Sequence, residues 1–384
     1  MRKDVGTQRH RGVWKVGRQF KATKEKEVQE MGRKVAWLLF VVAFLLSVYS
    51  SPYAAEAIKL KLANYFPPTH MNSVMMGKYC EELNKQLAGK VEMTQYTGST
   101  LLSAPKIAAG VSTGIADIGL SNLSYTRGRF AVMEIMDLPH GFPSAWIAGH
   151  VANDFYNKFK PKDFDGYHVL MLSTSPINVV QTLNKPVKTL DDLKGLKLRG
   201  TARLGDIVKA LGALPIPIET PDLYDSLKRG VIEGAYLPLE TLKGFKTGEL
   251  IKYVTASWRV GSAYCFYVAM NKQKWDSLPP DVQKVMTDFS KEFVERWTLE
   301  WNNIDIEGRE FFLKQGGRIE SIPEADNPKW VTAAWPVIED YKKDMLSKGY
   351  KADDIEDWIR FVNSRIVYWK GQESAKKIPT SYEY

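Results

Sequence analysis

From Ile58 onward, segments with a strand pattern alternate with segments that have a helix pattern. Residues 58–63 alternate apolar and polar side chains with period two, residues 71–87 have a helix pattern, and residues 91–96 form a second predicted strand. A predicted helix over residues 104–112 and a predicted strand over residues 115–120 continue the series. Such an alternation indicates βαβ units and a mainly parallel sheet, and therefore an α/β fold.

The same alternation returns later in the chain. The second series comprises a strand at 168–172, a short helix at 189–195, a strand at 196–199, a helix at 203–211, an extended segment at 215–219, a helix at 221–229 and a strand at 234–238. Two separate series of strands and helices predict two lobes with a cleft between them.

Residues 281–315 form the longest predicted helix. Phe289, Phe293, Trp297 and Trp301 repeat every fourth residue, and two glycines follow the segment. Thirty-five residues at 1.5 Å each reach roughly 50 Å, more than one small lobe requires. We expect this helix to brace both lobes. The aromatic pattern without sustained heptads argues against a coiled coil.

The first 57 residues have the composition of a leader. A basic pair, Arg33 and Lys34, precedes a fourteen-residue segment (35–48) in which all residues but Ser47 are apolar, and an A-x-A motif follows at residues 55–57. This order is typical of a secretory signal peptide, and the apolar segment is shorter than the roughly 20 residues that a membrane span needs. We predict a signal peptide over residues 31–57. Residues 1–30 are interpreted as a non-native extension upstream of a start at Met31.

The net charge of +9 lies mostly in that leader. Residues 1–57 hold eleven Lys/Arg and five Asp/Glu, so the remaining chain carries only +3. A nucleic-acid-binding protein should carry its basic patch on the folded domain. Nucleic acid is therefore excluded as a partner.

The sequence has no convincing catalytic, metal or cofactor motif. Ser112 lies in a G-x-S-x-G pattern, but a predicted helix precedes it and a strand follows, the reverse of a nucleophile elbow. The four histidines beyond the leader are not spaced as metal ligands on one helix face. Cys80 and Cys265 have apolar neighbours, which favours buried free thiols. We predict no enzyme, no metal and no cofactor.

Arg199 ends a predicted strand and is followed by Gly200 and Thr201. In an open α/β sheet, this edge carries the ligand crevice. The guanidinium group is planar, permanently charged and able to bind a carboxylate through two hydrogen bonds. The spacing alone leaves open a solvated surface arginine.

Six segments together resemble the substrate-binding subunits of tripartite ATP-independent periplasmic (TRAP) transporters of the C4-dicarboxylate-binding type. They are GSTL at 98–101, GIADIG at 114–119, LPHGF at 138–142, LDDLKGLKLR at 190–199, YDSLKRGVIEG at 224–234 and MNKQKWDSLP at 270–279. In order and spacing, they cover most of residues 58–316.

The resemblance implies two α/β lobes that strand crossovers join, with a long helix behind both. It assigns residues 58–176 and about 264–303 to lobe I, and residues 177–263 and about 304–384 to lobe II. It places the carboxylate-binding arginine at Arg199. Further pocket positions would be Tyr65, Ser103, Asn122, Thr220, Tyr236, Leu237 and Trp258. It also implies a periplasmic location and the small and large TRAP membrane subunits as partners.

Two departures from the pattern bear on the ligand. Sialic-acid-binding members resemble this chain but have Asn where Leu237 stands here, and a second Arg in the segment matching residues 174–181, which holds no base here. We therefore expect a monocarboxylate with an apolar or aromatic body. A dicarboxylate remains the alternative, with Arg127 or Arg259 turning into the cleft.

Two other functions remain open at this point. The chain could be the binding subunit of an ATP-driven importer or of a sensor, although the long helix and the segment ending at Arg199 argue against it. A periplasmic enzyme is the third possibility, and it would need a catalytic group that the sequence does not display.

Overall fold

The computed structural model describes residues 24, 26–42 and 56–382. Residues 26–42 form a helix, α1. No helix among the described residues is both long and apolar enough to cross a membrane. Most of the predicted extension at 1–30, and residues 43–55 of the predicted signal peptide, lie outside the described residues. The described residues from 57 onward form one compact unit.

The first sheet has five strands and forms the core of lobe I. Its order is β2 (Val91–Tyr96), β1 (Ile58–Asn64), β3 (Ile118–Asn122), β10 (Cys265–Asn271) and β4 (Tyr167–Thr174). Strands β1, β2 and β3 are parallel, whereas β10 runs antiparallel to both β3 and β4. Helices α2 (Met71–Gln86), α3 (Ile107–Ser112) and α4 (Ala145–Phe159) belong to this lobe, and α8 (Lys272–Asp276) follows β10. Cys80 and Cys265 are free and buried, as predicted.

The second sheet has six strands and forms the core of lobe II. Its order is β11 (Arg318–Ser321), β9 (Tyr253–Ala256), β5 (Val179–Thr182), β8 (Gly234–Leu237), β6 (Lys197–Arg199) and β7 (Leu214–Ile216). Helices α5 (Ala202–Ala210), α6 (Leu223–Lys228) and α7 (Glu240–Gly244) connect its strands. The predicted alternation of strands and helices, and the two-lobed α/β fold, are confirmed.

The chain passes between the lobes in two adjacent strand connections. One joins β4 to β5 and the other joins β9 to β10. The two connections bind each other through their backbones, since Ser175 N donates to Tyr264 O at 2.8 Å and Asn178 N donates to Ser262 O at 2.9 Å. We call these two paired extended segments the hinge, because short connections of this kind can absorb the backbone changes of lobe closure.

The long helix is α9 (Pro280–Lys314), within one residue of the predicted bounds. It packs against α2, α4 and β4 of lobe I and against α7 and β11 of lobe II. The four aromatic residues of the predicted pattern are all buried, namely Phe289, Phe293, Trp297 and Trp301. Their burial explains why an aromatic side chain recurs at every fourth position of this segment. The expectation that one helix braces both lobes is therefore confirmed.

Three helices close the chain: α10 (Asn327–Ala334), α11 (Pro336–Ser347) and α12 (Ala352–Lys376). Helix α12 packs on α4 of lobe I, where Arg365 Nε and Trp369 Nε1 each donate to Asp154 Oδ2 at 2.7 Å. Helix α11 packs on α5 of lobe II. The C-terminal region thus contacts elements of both lobes.

Candidate functional site

A small cavity of about 20 Å³ lies between the two sheets. Lobe I contributes residues that follow β1 and end β3, and lobe II contributes residues that end β6 and β8. The hinge segment before β10 and the long helix α9 complete the wall. Five of the eight predicted site residues line this cavity: Tyr65, Asn122, Arg199, Thr220 and Leu237.

Arg199 is the last residue of β6, and only 1% of its surface is exposed. The chain turns sharply into α5 directly after it, and a Cβ at Gly200 would lie 3.0 Å from the Cα of Gly205. This tight turn needs glycine, and it fixes the arginine at the edge of the sheet.

The guanidinium of Arg199 has only uncharged acceptors. Its Nε donates to the backbone oxygen of Ile218 at 2.9 Å, one terminal nitrogen donates to the Thr220 hydroxyl at 3.3 Å, and the other donates to the Tyr264 hydroxyl. Arg199 forms no ion pair with any carboxylate of the described residues. A buried charge of this kind calls for a countercharge from outside the chain.

Tyrosine and threonine hydroxyls surround this guanidinium and join the two lobes. Tyr125 of lobe I shares a 2.8 Å hydrogen bond with the Thr220 hydroxyl and accepts one of 3.0 Å from its backbone N. Burial raises the pKa of Tyr264 above its usual value, although the positive charge of Arg199 acts in the opposite direction. Tyr264 therefore stays a neutral phenol at neutral pH and can donate a hydrogen bond to an anion.

A second chain of hydrogen bonds crosses the cleft beside the cavity. Asn122 Nδ2 donates to the Tyr65 hydroxyl at 3.2 Å, and the Ser124 hydroxyl donates to Asn122 Oδ1 at 2.7 Å. Ser124 also shares a 3.0 Å hydrogen bond with Thr201, the second residue after Arg199. Burial raises the pKa of Tyr65 well above its usual value, so this hydroxyl is neutral as well. The lobes are thus held closed around the cavity.

The remaining walls are mostly aromatic. Phe66 stacks on Tyr65 with ring centroids 4.3 Å apart, and Phe266 stacks on Trp301 at 5.3 Å. Phe245 and Leu237 complete the apolar surface. Such walls suit a flat, apolar ligand body, since burying apolar surface is favourable by about 25 cal/mol per Å².

Three predicted site residues lie outside the cavity wall. Tyr236 is buried on the opposite face of β8, where its hydroxyl accepts from Ser262 Oγ at 3.0 Å. Trp258 packs on Tyr382, with centroids 4.9 Å apart. Ser103 is half-buried and directly precedes a short 3-10 helix at Ala104–Lys106.

Sequence reasoning missed several residues of the wall. The main ones are Phe66, Ser175, Glu240, Phe245, Tyr264, Phe266 and Trp301. Phe66 and Ser175 had a nearby signal, since Phe66 follows the predicted Tyr65 and Ser175 lies in the segment 174–181 discussed above. Tyr264 and Phe266 lie on the return connection between lobes, and Trp301 was interpreted as part of a bracing helix.

The chemistry of the cavity is that of an anion-binding site. Arg199 and Glu240 are the two charged side chains in its wall, and Glu240 is engaged by His70, with Nε2 and Oε2 3.2 Å apart. Among the described residues, no group of three or more His, Cys, Asp or Glu side chains has the arrangement of a metal site. The arrangement offers an anion such as a carboxylate one guanidinium and several neutral hydroxyl donors.

Comparison with known proteins gives consistent matches along most of the chain. The family model for bacterial extracellular solute-binding proteins of family 7 matches residues 62–344. The 2,3-diketo-L-gulonate-binding periplasmic protein of Escherichia coli is 27% identical over 318 residues, which are 80% of this chain and 93% of that protein.

Solved structures match with similar coverage. A TRAP periplasmic solute-binding protein of Desulfovibrio salexigens is 32% identical, with a TM-score of 0.72 over 82% of this chain and 97% of that one. A TRAP solute-binding protein of Rhodoferax ferrireducens, in complex with copurified benzoate, is 25% identical, with a TM-score of 0.75 over 83% of this chain and 100% of that one. The two-lobed fold is common to all three structures.

Proposed function

The chain belongs to the bacterial extracellular solute-binding proteins of family 7, and from this premise we propose that it captures an organic monocarboxylate with an apolar or aromatic body and delivers it to the membrane subunits of a TRAP transporter. The family and its TRAP relatives fit this function. They do not fit the alternative of a binding subunit for an ATP-driven importer or a sensor.

The observation that carries this proposal is the set of partners around Arg199. A guanidinium that is 1% exposed and hydrogen-bonded only to neutral oxygens is costly to bury. A ligand carboxylate would supply the countercharge and accept hydrogen bonds from the guanidinium and from the neutral hydroxyls beside it. Binding of such a ligand would favour the closed lobes, because the site is complete only when both lobes contribute.

The wall composition supports a single carboxylate. Arg199 is the one basic residue in the described cavity wall. Arg127 lies at the surface, where its two terminal nitrogens donate to the two carboxylate oxygens of Asp206 at 3.1 and 2.7 Å. Arg259 lines a separate surface groove. A second carboxylate would therefore meet aromatic rings and the carboxyl group of Glu240. The benzoate in the Rhodoferax ferrireducens protein gives this ligand class a precedent in the fold.

Location and partners follow from the same proposal. A family of extracellular solute-binding proteins works outside the cytoplasm, and we extend this to a periplasmic location, export through a signal peptide at 31–57 and docking on the small and large TRAP subunits. The protein would act without catalysis, cofactor or metal. The lobe boundaries given above and the ligand contacts of Tyr65, Asn122, Arg199, Thr220 and Leu237 belong to the same proposal.

A competition experiment tests the ligand class. The protein without residues 1–57 is titrated by calorimetry with benzoate, phenylacetate, a branched-chain carboxylate, succinate and malate. We expect the apolar monocarboxylates to bind more tightly than either dicarboxylate. Tighter binding of succinate or malate would refute the apolar-pocket proposal, and release of a converted product would refute the non-catalytic role.

A further inference from the structure

The last described residues, 377–382, form a tail that runs along the boundary between the lobes. Lys377 adopts a left-handed backbone conformation, with φ at 54°, and this turns the chain out of α12. Asn302 of α9 binds the tail, since its Nδ2 donates to Pro379 O at 3.1 Å. The side-chain oxygen of Asn302 accepts from the backbone N of Trp146, in α4 of lobe I, at 3.1 Å. The start of the tail is thus tied to a part of α9 that is fixed on lobe I.

The tail is fixed on lobe II about one turn later in α9. The Ser381 hydroxyl donates to Asp305 Oδ2. The other carboxyl oxygen of Asp305 accepts from the backbone N of Glu240, in α7 of lobe II, at 2.9 Å. A Cβ at Gly308 would lie 2.3 Å from Leu239 O, so α9 and the start of α7 are in direct backbone contact here. Two nearby residues of the tail are therefore tied to different lobes.

Tyr382 reaches the hinge region. Its hydroxyl donates to the backbone oxygen of Ile177 at 2.7 Å, in the connection from β4 to β5. Its ring packs on Trp258, in the connection from β9 to β10, with centroids 4.9 Å apart. Tyr382 is 5% exposed and Ile177 is 0% exposed, so water is largely excluded from this hydrogen bond. Over residues 379–382, the tail is tied to lobe I, to lobe II and to both connections between them.

We propose that residues 377–382 act as a strap on the hinge that stabilises the closed lobes, with Tyr382 as the residue that positions the hinge. The anchors of the strap lie on α9, which packs against both lobes. When one lobe rotates against the other, the hinge backbone changes, and Ile177 and Trp258 shift relative to these anchors. The contacts of Tyr382 are therefore complete only in the closed arrangement, and opening of the lobes costs them.

Such a strap acts on affinity without touching the ligand, because Tyr382 does not line the described cavity. A residue that stabilises the closed lobes increases the population of the state that binds tightly. It therefore raises the affinity for every enclosed ligand by the same factor. This inference rests on the proposed function, because it takes closure around a carboxylate as the binding event.

The test compares wild type with Tyr382→Phe, which keeps the ring on Trp258 and removes the hydrogen bond to Ile177. Calorimetry gives the affinities for benzoate and phenylacetate, and stopped-flow fluorescence gives the rates. We expect both affinities to fall by the same factor, about threefold to tenfold, the loss of one hydrogen bond. The loss should appear as faster dissociation, with an association rate close to that of wild type.

Tyr167→Phe is the matched control. Tyr167 is also buried, and its hydroxyl donates to a backbone oxygen, that of Ala108 at 2.9 Å, but both residues belong to lobe I. Loss of this bond should lower the unfolding free energy and leave the affinities and rates at wild-type values. Ser381→Ala loosens the anchor on Asp305 and keeps Tyr382. It should speed dissociation by a smaller factor, and it replaces Tyr382→Phe if that variant does not fold.

The outcomes separate the two proposals. If Tyr382→Phe and Ser381→Ala release both ligands at the wild-type rate, or if Tyr167→Phe speeds release as much, the strap is refuted while the proposed function stands. The strap is also refuted if Tyr382→Phe changes the ratio of the two affinities, since this would indicate an effect on ligand recognition. If wild type binds succinate and neither aryl carboxylate, the proposed ligand class fails, and the same rates measured with succinate decide on the strap.

Discussion

Two arginines four residues apart in the sequence, Arg199 and Arg203, are both almost fully buried and have opposite surroundings. Arg203, in the first turn of α5, is 2% exposed. Its Nε donates to Glu134 at 3.0 Å, and a terminal nitrogen donates to Asp344. Arg199 has hydroxyl and backbone oxygens in the same roles. The protein thus neutralises one guanidinium with its own carboxylates and surrounds the other with neutral groups.

This difference separates a structural arginine from a ligand-binding one. Burial alone does not distinguish the two arginines. Their positions in the sequence do not distinguish them either, because both lie close to the end of β6. The charges around each guanidinium do distinguish them. A buried ion pair is neutralised within the chain, whereas a buried cation without a carboxylate partner requires a countercharge from outside the chain. Arg203 also joins α5 of lobe II to Glu134, which follows β3 of lobe I, so it contributes to the closed arrangement rather than to ligand recognition.

The largest expected effect is on stability at Arg203. Replacing Arg203 with Ala leaves Glu134 buried without its partner, which should cost about 3–5 kcal/mol of unfolding free energy. Urea denaturation of the ligand-free protein measures this. Arg127→Ala is the control, because its pair with Asp206 is exposed and should contribute less than about 1 kcal/mol. Equal losses in the two variants would contradict the structural role of Arg203.

The next effect is on ligand affinity at Arg199. Arg199→Ala should weaken binding of the best monocarboxylate by about 2–5 kcal/mol, since the carboxylate then lies desolvated without its partner. Lys keeps the charge but loses the planar fork, so Arg199→Lys should restore only part of the affinity. Calorimetry decides the matter, and an Arg199→Ala protein that binds within about threefold of wild type would show that this arginine is not the carboxylate site.

The surroundings of Arg203 also predict a pH effect. Burial raises the pKa of Asp137 well above its usual value, and the charge of Glu134 raises it further. Because the folded-state pKa exceeds the unfolded value of about 3.9, the contribution of Asp137 to stability is full below that pH and is lost as pH rises through the folded-state pKa. Asp137→Asn, which still accepts from Cys265 N, should therefore lose less stability than wild type between pH 4 and pH 8.

Urea titrations at several pH values measure this difference. Parallel stability curves for wild type and Asp137→Asn would mean that Asp137 does not titrate with folding, and the raised pKa of this buried carboxyl group would be refuted.

The smallest effect concerns the hydroxyl groups around Arg199. Tyr264→Phe removes one hydrogen-bond acceptor of the Arg199 guanidinium and one donor toward the ligand. It should weaken the affinity for the monocarboxylate by about 0.5–1.5 kcal/mol. Tyr236→Phe is the matched control, since this tyrosine lies on the far face of β8. The same calorimetric titration compares both. If Tyr236→Phe weakens binding as much as Tyr264→Phe, our assignment of the cavity wall is incorrect.

Local sequence patterns predicted much of the fold. The βα alternation, the two lobes and the bounds of α9 are confirmed, because they depend on periodicity and on helix-end residues. The resemblance to TRAP binding subunits, which rests on six matching segments, is confirmed as well. Strand β10 was missed. Its seven residues are all buried, so both faces are apolar and no period-two signal exists. Local patterns likewise indicated no path between the lobes, and the crossovers were expected only from the family resemblance.

The site was less predictable, because its wall is assembled from distant segments. Strand β8 is buried on both faces, so hydrophobicity could not decide whether Tyr236 or Leu237 faces the cavity. Tyr264 and Trp301 reach the wall through the hinge and the long helix, which only the three-dimensional fold brings together. The charge balance around Arg199 and Arg203 likewise depends on Glu134 and Asp344, which lie far from them in sequence.

The enclosure of the cavity has a kinetic consequence. Tyr65, Arg199 and Leu237 are each at most 2% exposed, and hydrogen bonds between Tyr125 and Thr220 and between Ser124 and Thr201 hold the lobes together. A bound molecule has no exit that bypasses these bonds, so its residence time cannot be shorter than the waiting time for the lobes to part. Differences in affinity among ligands should then appear mainly as differences in dissociation rate. A membrane receptor that pulls the lobes apart would set the rate of delivery.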